Sequence, residues 1–249
     1  MISCVLQGGL GNQMFQIAAA FAVAKSNGED YGFDFENCFT PAQGNTSTKY
    51  LDNIFKNVKS ISGIPTNFKL RYNEPVFNHV YMPPLKSALL TGYFQSEKYF
   101  SNYKEDIIKL FHVKPIEFKK EGITTAIHVR RGDYLKHPNF HPTCSVEYYT
   151  KAMETISEGE FIFVSDDIQW CKDNFKGDNI KYSSFDNEID DLSLITECDN
   201  VIISNSSFSW WGAYLNQNES KVVIAPKIWF GPDGPVEQFD IIPETWIKI

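Results

Sequence analysis

The amino-acid sequence predicts an α/β protein in which each half of the chain forms a parallel β-sheet. The chain opens with a short apolar segment, a glycine-rich turn and an alanine-rich segment, which is the pattern of a strand followed by a helix. The second half alternates apolar segments of strand length with segments of helical periodicity. Because each helix returns the chain to the same end of the sheet, strands in such a series run parallel.

The first half begins with a predicted strand over residues 2–7 and a long helix. Asn12 suits the N-cap of this helix, and Gly28 suits the residue after its end, because glycine tolerates a left-handed backbone. A second strand is predicted over residues 31–35. Residues 36–87 contain five prolines and are predicted to be irregular with short elements.

A strand over residues 88–93 and a helix over residues 96–111 complete the first half. Residues 112–122, with a proline and charges of both signs, form the predicted linker. The sequence therefore predicts two domains, residues 1–118 and residues 119–249, which agrees with a length of 249 residues.

The second half contains a regular series of predicted elements. In chain order they are a strand over 123–129, a helix over 145–157 capped by Ser145, a strand over 160–165, a helix opened by Asp166 and Asp167, a helix over 188–198, a strand over 201–204, a helix from 205–207 to near Asn216, and a strand over 221–225. Pro226 ends the last strand because proline cannot donate to a ladder of hydrogen bonds.

Composition excludes several classes of protein. The chain has 23 basic and 31 acidic residues, so its net charge of −8 gives no broad hold on nucleic acid or on an anionic membrane. At 43% hydrophobic residues it is too apolar to be disordered. Its five cysteines are widely spaced and include no C-x-x-C pair, which favours free thiols over a disulfide framework or a zinc ribbon.

The N-terminal segment does not have the pattern of a signal peptide. It lacks a basic region, and glycine, asparagine and glutamine residues interrupt its apolar run. No apolar run in the chain reaches the roughly 18 residues of a membrane span. The sequence therefore predicts a cytoplasmic, soluble protein.

Ligands of parallel α/β sheets bind outside the carboxyl ends of the strands, and four predicted turns at such ends carry unusual residues. The first is GGLGNQ at residues 8–13. Its glycines let the backbone approach a ligand closely, and amides at a helix start favour an anion. Met14 stands where a dinucleotide fingerprint needs its last glycine, and no Lys-Ser/Thr pair completes a Walker motif. A tight turn that only packs is the alternative.

The second turn follows the strand over residues 123–129 and reads HVRRGDY. His128 and Arg130 alternate along the strand and so share one face. A guanidinium at a strand end fits a phosphate with two hydrogen bonds, which favours a phosphate role for Arg130. A structural salt bridge is expected between Arg131 and Asp133.

The third turn carries adjacent carboxylates, Asp166 and Asp167. They do not have the D-x-D spacing of metal-dependent transferases. One of them suits the cap of the following helix. The other can accept the paired N–H donors of a guanine edge.

The fourth turn, with its helix, reads SNSSFSWWG at residues 204–212. Clustered hydroxyls and free amides at a helix start suit a diphosphate. Trp210, Trp211 and Tyr214 recur at helical spacing, and burial in the core is the favoured interpretation of the two tryptophans.

Together the four segments resemble the α-1,2-fucosyltransferases of glycosyltransferase family 11, and more distantly the α-1,6- and protein O-fucosyltransferases. The matching segments are GGLGNQMFQ at 8–16, HVRRGDY at 128–134, FVSDD at 163–167 and NSSFSWWG at 205–212. The resemblance implies a GT-B-like fold of two Rossmann-like lobes that face a central cleft. Residues 1–118 would form the acceptor side, and residues 119–249 would bind GDP-fucose.

The resemblance also implies a reaction and the residues that perform it. GDP-β-L-fucose would be the donor, without a metal, and fucose would pass with inversion to the 2-hydroxyl of a terminal β-galactoside glycan. Arg130 and His128 would contact the donor diphosphate, Ser206 and Ser207 would contact the phosphates, and Asp167 would accept from guanine. The enzyme would be cytoplasmic and could lie at the periphery of the membrane where lipid-linked glycans are built.

Asn12, with Gly9 and Gly11, would reach the phosphate or the acceptor from the opposite domain. Asp133 is the candidate general base, although a carboxylate beside Arg131 would be a weak one, and the leaving phosphate is the alternative proton acceptor. Two other functions stay open at this point. One is another GDP-sugar transferase with a different acceptor linkage, and the other is a non-catalytic glycan- or nucleotide-binding module.

Overall fold

The computed structural model describes residues 1–37, 47–65, 67–118 and 120–249. The chain divides into two compact units. Unit 1 contains Met1–Val113 and Glu237–Pro243, and unit 2 contains Lys114–Val236 and Glu244–Ile249. Each unit has its own parallel sheet, which confirms the predicted α/β class. The division of the chain into acceptor and donor sides stays a prediction.

Unit 1 is built on a three-stranded sheet with the order β1-β3-β2, in which all strands are parallel. Its elements are β1 (Ile2–Cys4), α1 (Leu10–Asn27), β2 (Leu70–Asn73), β3 (Ala88–Thr91) and α2 (Lys104–Leu110). Helix α1 is alanine-rich and buried over almost all of its first fourteen residues, so it forms the centre of this unit. Gly28 follows it with a φ of 63°, as predicted.

The structure corrects the predicted start of α1. The helix begins at Leu10 with Gly9 at its N-cap, so Asn12 lies in the first helical turn and is not the cap. Asparagine is a frequent N-cap, but glycine also occupies this position, and here Gly9 does so. The side chain of Asn12 instead contacts Gln95.

The predicted strand over residues 31–35 is wrong. This segment makes isolated bridges, one between Ile2 and Tyr31 and one between Phe33 and Ser60. Tyr31, Phe33 and Phe35 alternate along the sequence, which is the pattern of a strand, but the segment has no partner of strand length.

The predicted helix over residues 96–111 is also interrupted. Short 3₁₀ turns occupy Glu97–Tyr99 and Ser101–Tyr103, and only Lys104–Leu110 is α-helical. Phe100, between the two turns, has a non-helical backbone with φ −141° and ψ 5°. Its side chain is 1% exposed, so burial of the ring coincides with the break.

Unit 2 is built on a six-stranded parallel sheet with the order β6-β5-β4-β7-β8-β9. Its elements are β4 (Thr124–Val129), α3 (Val146–Ile156), β5 (Glu160–Ser165), α4 (Ile168–Asn174), β6 (Ile180–Tyr182), α5 (Glu188–Glu197), β7 (Asn200–Ile202), α6 (Ser207–Leu215), β8 (Val223–Ala225) and β9 (Ile247–Lys248). Ser145 caps α3 by accepting from the N–H of Tyr148, as predicted.

The core of unit 2 lies on both faces of its central strands. Strand β4 is buried along its whole length, and Trp210 and Trp211 are both 0% exposed. The ring of Trp210 stacks on Tyr214 with 4.8 Å between centroids. The predicted core positions of these aromatic residues are confirmed.

Four of the cysteines lie in the described part of the chain, and there they are free thiols. Cys4, Cys171 and Cys198 are buried, whereas Cys144 is partly exposed. Cys38 lies outside the described residues. Over the same described ranges, no helix combines the length and the apolar character needed to cross a bilayer.

Candidate functional site

The strand order in the sheet of unit 2 reverses at one point. From β4 the chain adds β5 and β6 on one side, and it then returns to add β7 and β8 on the other side. In open α/β sheets, ligands bind at such a switch point, outside the carboxyl ends of the strands. The turns after β4, β5 and β7 lie at the carboxyl ends of these strands, beside the switch point. They are three of the four turns that the sequence singled out.

Arg130, the first residue after β4, pairs with two carboxylates. Its Nη2 lies 2.7 Å from Oδ1 of Asp133, and its Nη1 lies 3.1 Å from Oδ2 of Asp166. Gly132 permits this arrangement, because a Cβ there would lie 2.7 Å from Oδ2 of Asp166. A guanidinium has five N–H donors, so donors remain for a ligand. The predicted salt bridge between Arg131 and Asp133 is wrong.

Arg131 reaches the carboxyl end of β5 instead. Its Nε donates to Oδ2 of Asp167 at 3.0 Å, and its guanidinium carbon lies 4.2 Å from the ring centroid of Trp170. Oδ1 of Asp167 accepts from the N–H of Trp170 at 3.2 Å and so caps α4. The capping role expected for one of the two aspartates is confirmed for Asp167, the residue that the resemblance assigns to guanine.

His128 is buried just before the turn after β4. Its Nδ1 shares a hydrogen bond of 2.9 Å with Oγ of Ser204, and its ring centroid lies 5.3 Å from that of Phe208. Burial, and then the charge of Arg130, lowers the pKa of His128 to about 3. His128 is therefore a neutral imidazole near pH 7, and it can offer hydrogen bonds but not positive charge.

The turn after β7 is held by the buried side chain of Asn205. Its Nδ2 donates to the carbonyl oxygens of Pro142 and Trp229 at 2.8 Å and 2.9 Å. The hydroxyl of Tyr134 donates to the carbonyl of Asn205 at 2.9 Å, which ties the turn after β4 to the turn after β7. Burial raises the pKa of Tyr134, so the hydroxyl stays protonated as a donor.

Ser206 and Ser207 stand at the start of α6. Ser206 occupies the N-cap without a side-chain capping bond, and Ser207 is the first helical residue. The first amides of a helix lack partners within it, so they and the two hydroxyls are donors suited to an anion.

The glycine turn of unit 1 is shaped around Asn12. Gly8, with a φ of 79°, has the left-handed backbone of the turn, while Gly9 is extended at the N-cap and Gly11 lies within α1. A Cβ at Gly8 would lie 2.4 Å from Nδ2 of Asn12. Oδ1 of Asn12 accepts from Nε2 of Gln95 at 2.6 Å, so the amide of Asn12 has a fixed orientation.

Glu74, which directly follows β2, is a residue that no sequence pattern predicted. Its carboxylate oxygens accept from the N–H groups of Tyr93 and Phe94 at 2.7–3.1 Å. Burial raises the pKa of Glu74 despite these bonds. Strand β2 is mostly exposed and lies in the proline-rich segment, so no hydrophobic pattern drew attention to it.

The predicted site residues thus fall into two groups. Unit 2 holds His128, Arg130, Asp133, Asp167, Ser206 and Ser207, and unit 1 holds Gly9, Gly11 and Asn12. At the ends of β4 and β5, the guanidiniums of Arg130 and Arg131 interact with the carboxylates of Asp133, Asp166 and Asp167, which gives a formal charge of 2 − 3 = −1. Within the described part of the chain, no three His, Cys, Asp or Glu side chains cluster as metal ligands.

Comparison with known proteins identifies related enzymes. The family model described as "Glycosyl transferase family 11" matches residues 1–249. "O-antigen biosynthesis glycosyltransferase WbnK" of Escherichia coli is 30% identical, and the alignment covers 100% of both chains. "Alpha-1,2-colitosyltransferase" of Escherichia coli is 28% identical over 98% of this chain and 97% of its own. "Galactoside alpha-(1,2)-fucosyltransferase 2" of Hylobates lar is 28% identical over 86% and 68%, respectively.

Solved structures with the same fold are fucosyltransferases. The fucosyltransferase NodZ from Bradyrhizobium superposes with a TM-score of 0.53 at 10% identity, covering 85% of this chain and 92% of that one. A NodZ α-1,6-fucosyltransferase co-crystallised with GDP gives a TM-score of 0.52 at 11% identity, covering 85% and 91%. The fold is thus of the GT-B type, as the sequence predicted.

Proposed function

Because the chain belongs to glycosyl transferase family 11, we propose that it transfers L-fucose from GDP-β-L-fucose to the 2-hydroxyl of a terminal β-galactoside. The α-1,2 linkage is supported by relatives named as an α-1,2-colitosyltransferase and a galactoside α-(1,2)-fucosyltransferase. The choice of GDP is supported by the NodZ α-1,6-fucosyltransferase, which has a similar fold and was co-crystallised with GDP.

The observation that carries the proposal is the switch point of the unit 2 sheet. Arg130 follows β4 on one side of this point, and the start of α6 follows β7 on the other. A diphosphate bound there would meet a guanidinium, two serine hydroxyls and helix-end amides. These hydrogen-bond donors suit the negatively charged leaving group of a nucleotide sugar.

Guanine recognition is assigned to Asp167, at the neighbouring strand end. A carboxylate can accept both N1–H and N2–H of guanine. Asp167 already accepts from Arg131 and from the amide of Trp170, which fixes its orientation before the base arrives. Each carboxylate oxygen has two lone pairs, so guanine can share these oxygens with the protein donors.

In the proposed reaction, the bond from fucose C1 to the β-phosphate oxygen breaks, and the galactose O2 bonds to C1 from the opposite face. The transition state is oxocarbenium-like, and negative charge grows on the departing phosphate. Arg130, the serine hydroxyls and the α6 amides would stabilise that charge in place of a metal. The neutral His128 would contribute a hydrogen bond from its ring.

The hydroxyl proton of galactose passes to a base or to the leaving phosphate. Oδ1 of Asp133 already accepts from Nη2 of Arg130 at 2.7 Å. We therefore favour the phosphate as the proton acceptor, with Asp133 orienting Arg130. Asn12, Gly9 and Gly11 would contact the substrates.

The relative named as a colitosyltransferase favours a second candidate donor. Colitose is L-fucose without its 3-hydroxyl, so one site geometry can suit both sugars. GDP-colitose would bind through the same diphosphate and guanine contacts. The two donors must be compared directly on the same acceptors.

The donor assignment is tested by thermal denaturation with GDP, UDP and NAD, each with and without EDTA. A ligand at 100 times its Kd stabilises a protein by about 2.7 kcal/mol. We expect GDP alone to give such stabilisation, unchanged by EDTA. No response to GDP would contradict the donor assignment, and a response abolished by EDTA would contradict metal independence.

The transfer itself is tested with GDP-fucose and GDP-colitose on an array of galactosides. We expect an α-1,2-linked product, identified by linkage analysis. GDP binding without transfer to any sugar acceptor would favour a binding module, and another linkage would favour a different GDP-sugar transferase.

A further inference from the structure

The partly buried carboxylate of Glu74 holds a tight turn over residues 92–94 of unit 1. Its Oε2 accepts from the N–H of Tyr93 at 2.7 Å, and both oxygens accept from the N–H of Phe94 at 3.0–3.1 Å. Gly92 makes room for this grip, because a Cβ there would lie 2.4 Å from Cβ of Glu74 and 2.6 Å from its Oε2. The carboxylate and the turn therefore fit each other closely.

The turn over residues 92–94 has an unfavourable backbone conformation. Phe94 has a φ of 51°, a left-handed conformation that aromatic residues rarely adopt. Its ring is fully buried and meets Tyr99 edge-on, with 5.4 Å between centroids. The two amides that Glu74 holds belong to this residue and to the one before it. The carboxylate thus offsets part of the cost of the turn.

The residue after the turn contacts Asn12. Gln95 is 5% exposed, and its Nε2 donates to Oδ1 of Asn12 at 2.6 Å. This bond fixes the orientation of the Asn12 amide, so its Nδ2 is held in a set position from which it can donate to a ligand. Asn12 itself is partly exposed. A donor amide suits a phosphate or sugar oxygen.

We propose that Glu74 is a positioning residue that acts through Gln95 to fix Asn12 as a hydrogen-bond donor for the bound substrates. The inference rests on the proposed function, in which Asn12 contacts the phosphate or the acceptor. Glu74 holds the turn over residues 92–94, the turn places Gln95, and Gln95 orients the amide of Asn12. Because both oxygens of Glu74 serve the turn, its role is to position and not to remove a proton.

The central experiment is a double-mutant cycle between Glu74→Gln and Asn12→Ala, with transfer to a galactoside as the readout. A glutamine offers one acceptor oxygen, and its NH₂ group faces one of the two backbone N–H donors. We expect kcat to fall on the order of 10²-fold with little change in donor KM, since small misplacements of positioned groups have effects of this size. In the Asn12→Ala background, Glu74→Gln should cause no more than about a twofold further loss.

Controls separate positioning from general stability. Glu105→Gln replaces an exposed glutamate of the same unit and should leave kcat unchanged. Gln95→Leu removes the donor to Asn12 but keeps the bonds of Glu74 to Tyr93 and Phe94, so it should lower kcat like Glu74→Gln and be equally non-additive with Asn12→Ala. Wild-type kcat in Glu74→Gln or in Gln95→Leu, or additive losses in either cycle, would overturn the proposal.

A second readout does not depend on activity. The side-chain NH₂ resonances of Asn12 and Gln95 in ¹⁵N spectra should shift in Glu74→Gln and stay in place in Glu105→Gln. Unshifted Asn12 resonances would refute the positioning of Asn12 by Glu74 even if the enzyme is active. Absence of transfer by the unaltered protein would contradict the proposed function. The spectra would still test whether Glu74 positions Asn12 through Gln95.

Discussion

At the scale of single residues, Arg130 is the group on which the proposed chemistry depends most. Its guanidinium pairs with Asp133 and Asp166, and its side chain is 30% exposed. Arg130→Ala should therefore lower kcat for transfer by about 10²–10³, the usual effect of removing a preorganised donor to developing charge. Its thermal stability should change little, because exposed ion pairs contribute about 1 kcal/mol or less.

Steady-state transfer assays and thermal denaturation check this prediction together. Arg71→Ala is the matched control, because Arg71 is exposed on β2 and should affect neither measurement. Wild-type turnover in Arg130→Ala would remove Arg130 from the proposed mechanism.

His128 makes stability depend on pH with a predictable sign. Its pKa is lowered to about 3 by burial, whereas an unfolded histidine has a pKa of about 6.5. Between these values the unfolded chain binds more protons than the folded one, so the free energy of unfolding falls as the pH falls. From about pH 7.5 to about pH 5, His128 should account for a loss of about 2 kcal/mol.

The variant His128→Asn tests this contribution of His128 to the pH dependence. The asparagine amide can still form a hydrogen bond with Ser204, but it does not titrate. Urea denaturation of both proteins should show a loss on acidification that is smaller in the variant. Equal losses in the two proteins would mean that His128 protonates in the folded state as readily as in the unfolded state.

Spacing alone could not predict which charges pair. The sequence identified Arg130, Asp166 and Asp167 as residues at strand ends. In the structure β4 and β5 are adjacent and parallel, so their carboxyl ends lie side by side. The expected pair of Arg131 and Asp133 does not form, because adjacent parallel strands bring the β5 turn within reach of Arg131. Side-chain partners across strands depend on register, which no local pattern contains.

At the scale of elements, Asp167 combines the N-cap of α4 with the guanine contact that we propose for it. Asp167 caps α4 and also pairs with Arg131. Asparagine is an equally good N-cap but carries no charge, whereas alanine cannot cap. Asp167→Asn should therefore retain stability and lose GDP affinity by about 10- to 100-fold, the value of a charge-assisted hydrogen bond.

The companion variant Asp167→Ala should lose the same affinity and, in addition, about 1 kcal/mol of stability. Calorimetric titration with GDP and urea denaturation measure the two effects. If Asp167→Asn bound GDP like the unaltered protein, guanine would have to be recognised elsewhere.

Helix α6 depends on a close approach to α5. A Cβ at Gly212 would lie 2.5 Å from Cγ2 of Ile195, so Gly212→Ala should push the helices apart and cost about 1–3 kcal/mol. Ser207→Ala, at the other end of α6, should lower GDP affinity without a loss of stability. Thermal denaturation with and without GDP distinguishes the two variants, and an unchanged Tm for Gly212→Ala would show that the packing can relax.

Elements with strong local signals were predicted well, and elements formed by tertiary contacts were not. Strand β5 and the capped helix α3 follow from hydrophobic pattern and from Ser145. Strands β2, β6 and β9 were not predicted because they are short and none of their residues is buried, so that only pairing with a neighbour defines them. Propensity contributes little to such strands.

At the scale of the whole molecule, the C-terminal segment returns to both units. Glu237–Pro243 belongs to unit 1, and Glu244–Ile249 belongs to unit 2. In unit 1, Asp240 accepts from the N–H of His79 at 3.2 Å and from Nζ of Lys98 at 2.7 Å. In unit 2, Trp246 packs 5.4 Å from the centroid of Trp210, and β9 extends the sheet.

This arrangement predicts that neighbouring C-terminal substitutions destabilise different units. Asp240→Ala should cost about 1 kcal/mol and speed amide exchange in unit 1, because it removes a charge-assisted hydrogen bond. Trp246→Ala should cost about 3–5 kcal/mol and speed exchange in unit 2, because it leaves a cavity beside Trp210. Ile247→Ala, at a side chain that is 42% exposed, should have little effect. Hydrogen exchange resolved by peptide measures each unit separately, and equal acceleration of both units by either variant would show that the two units unfold together.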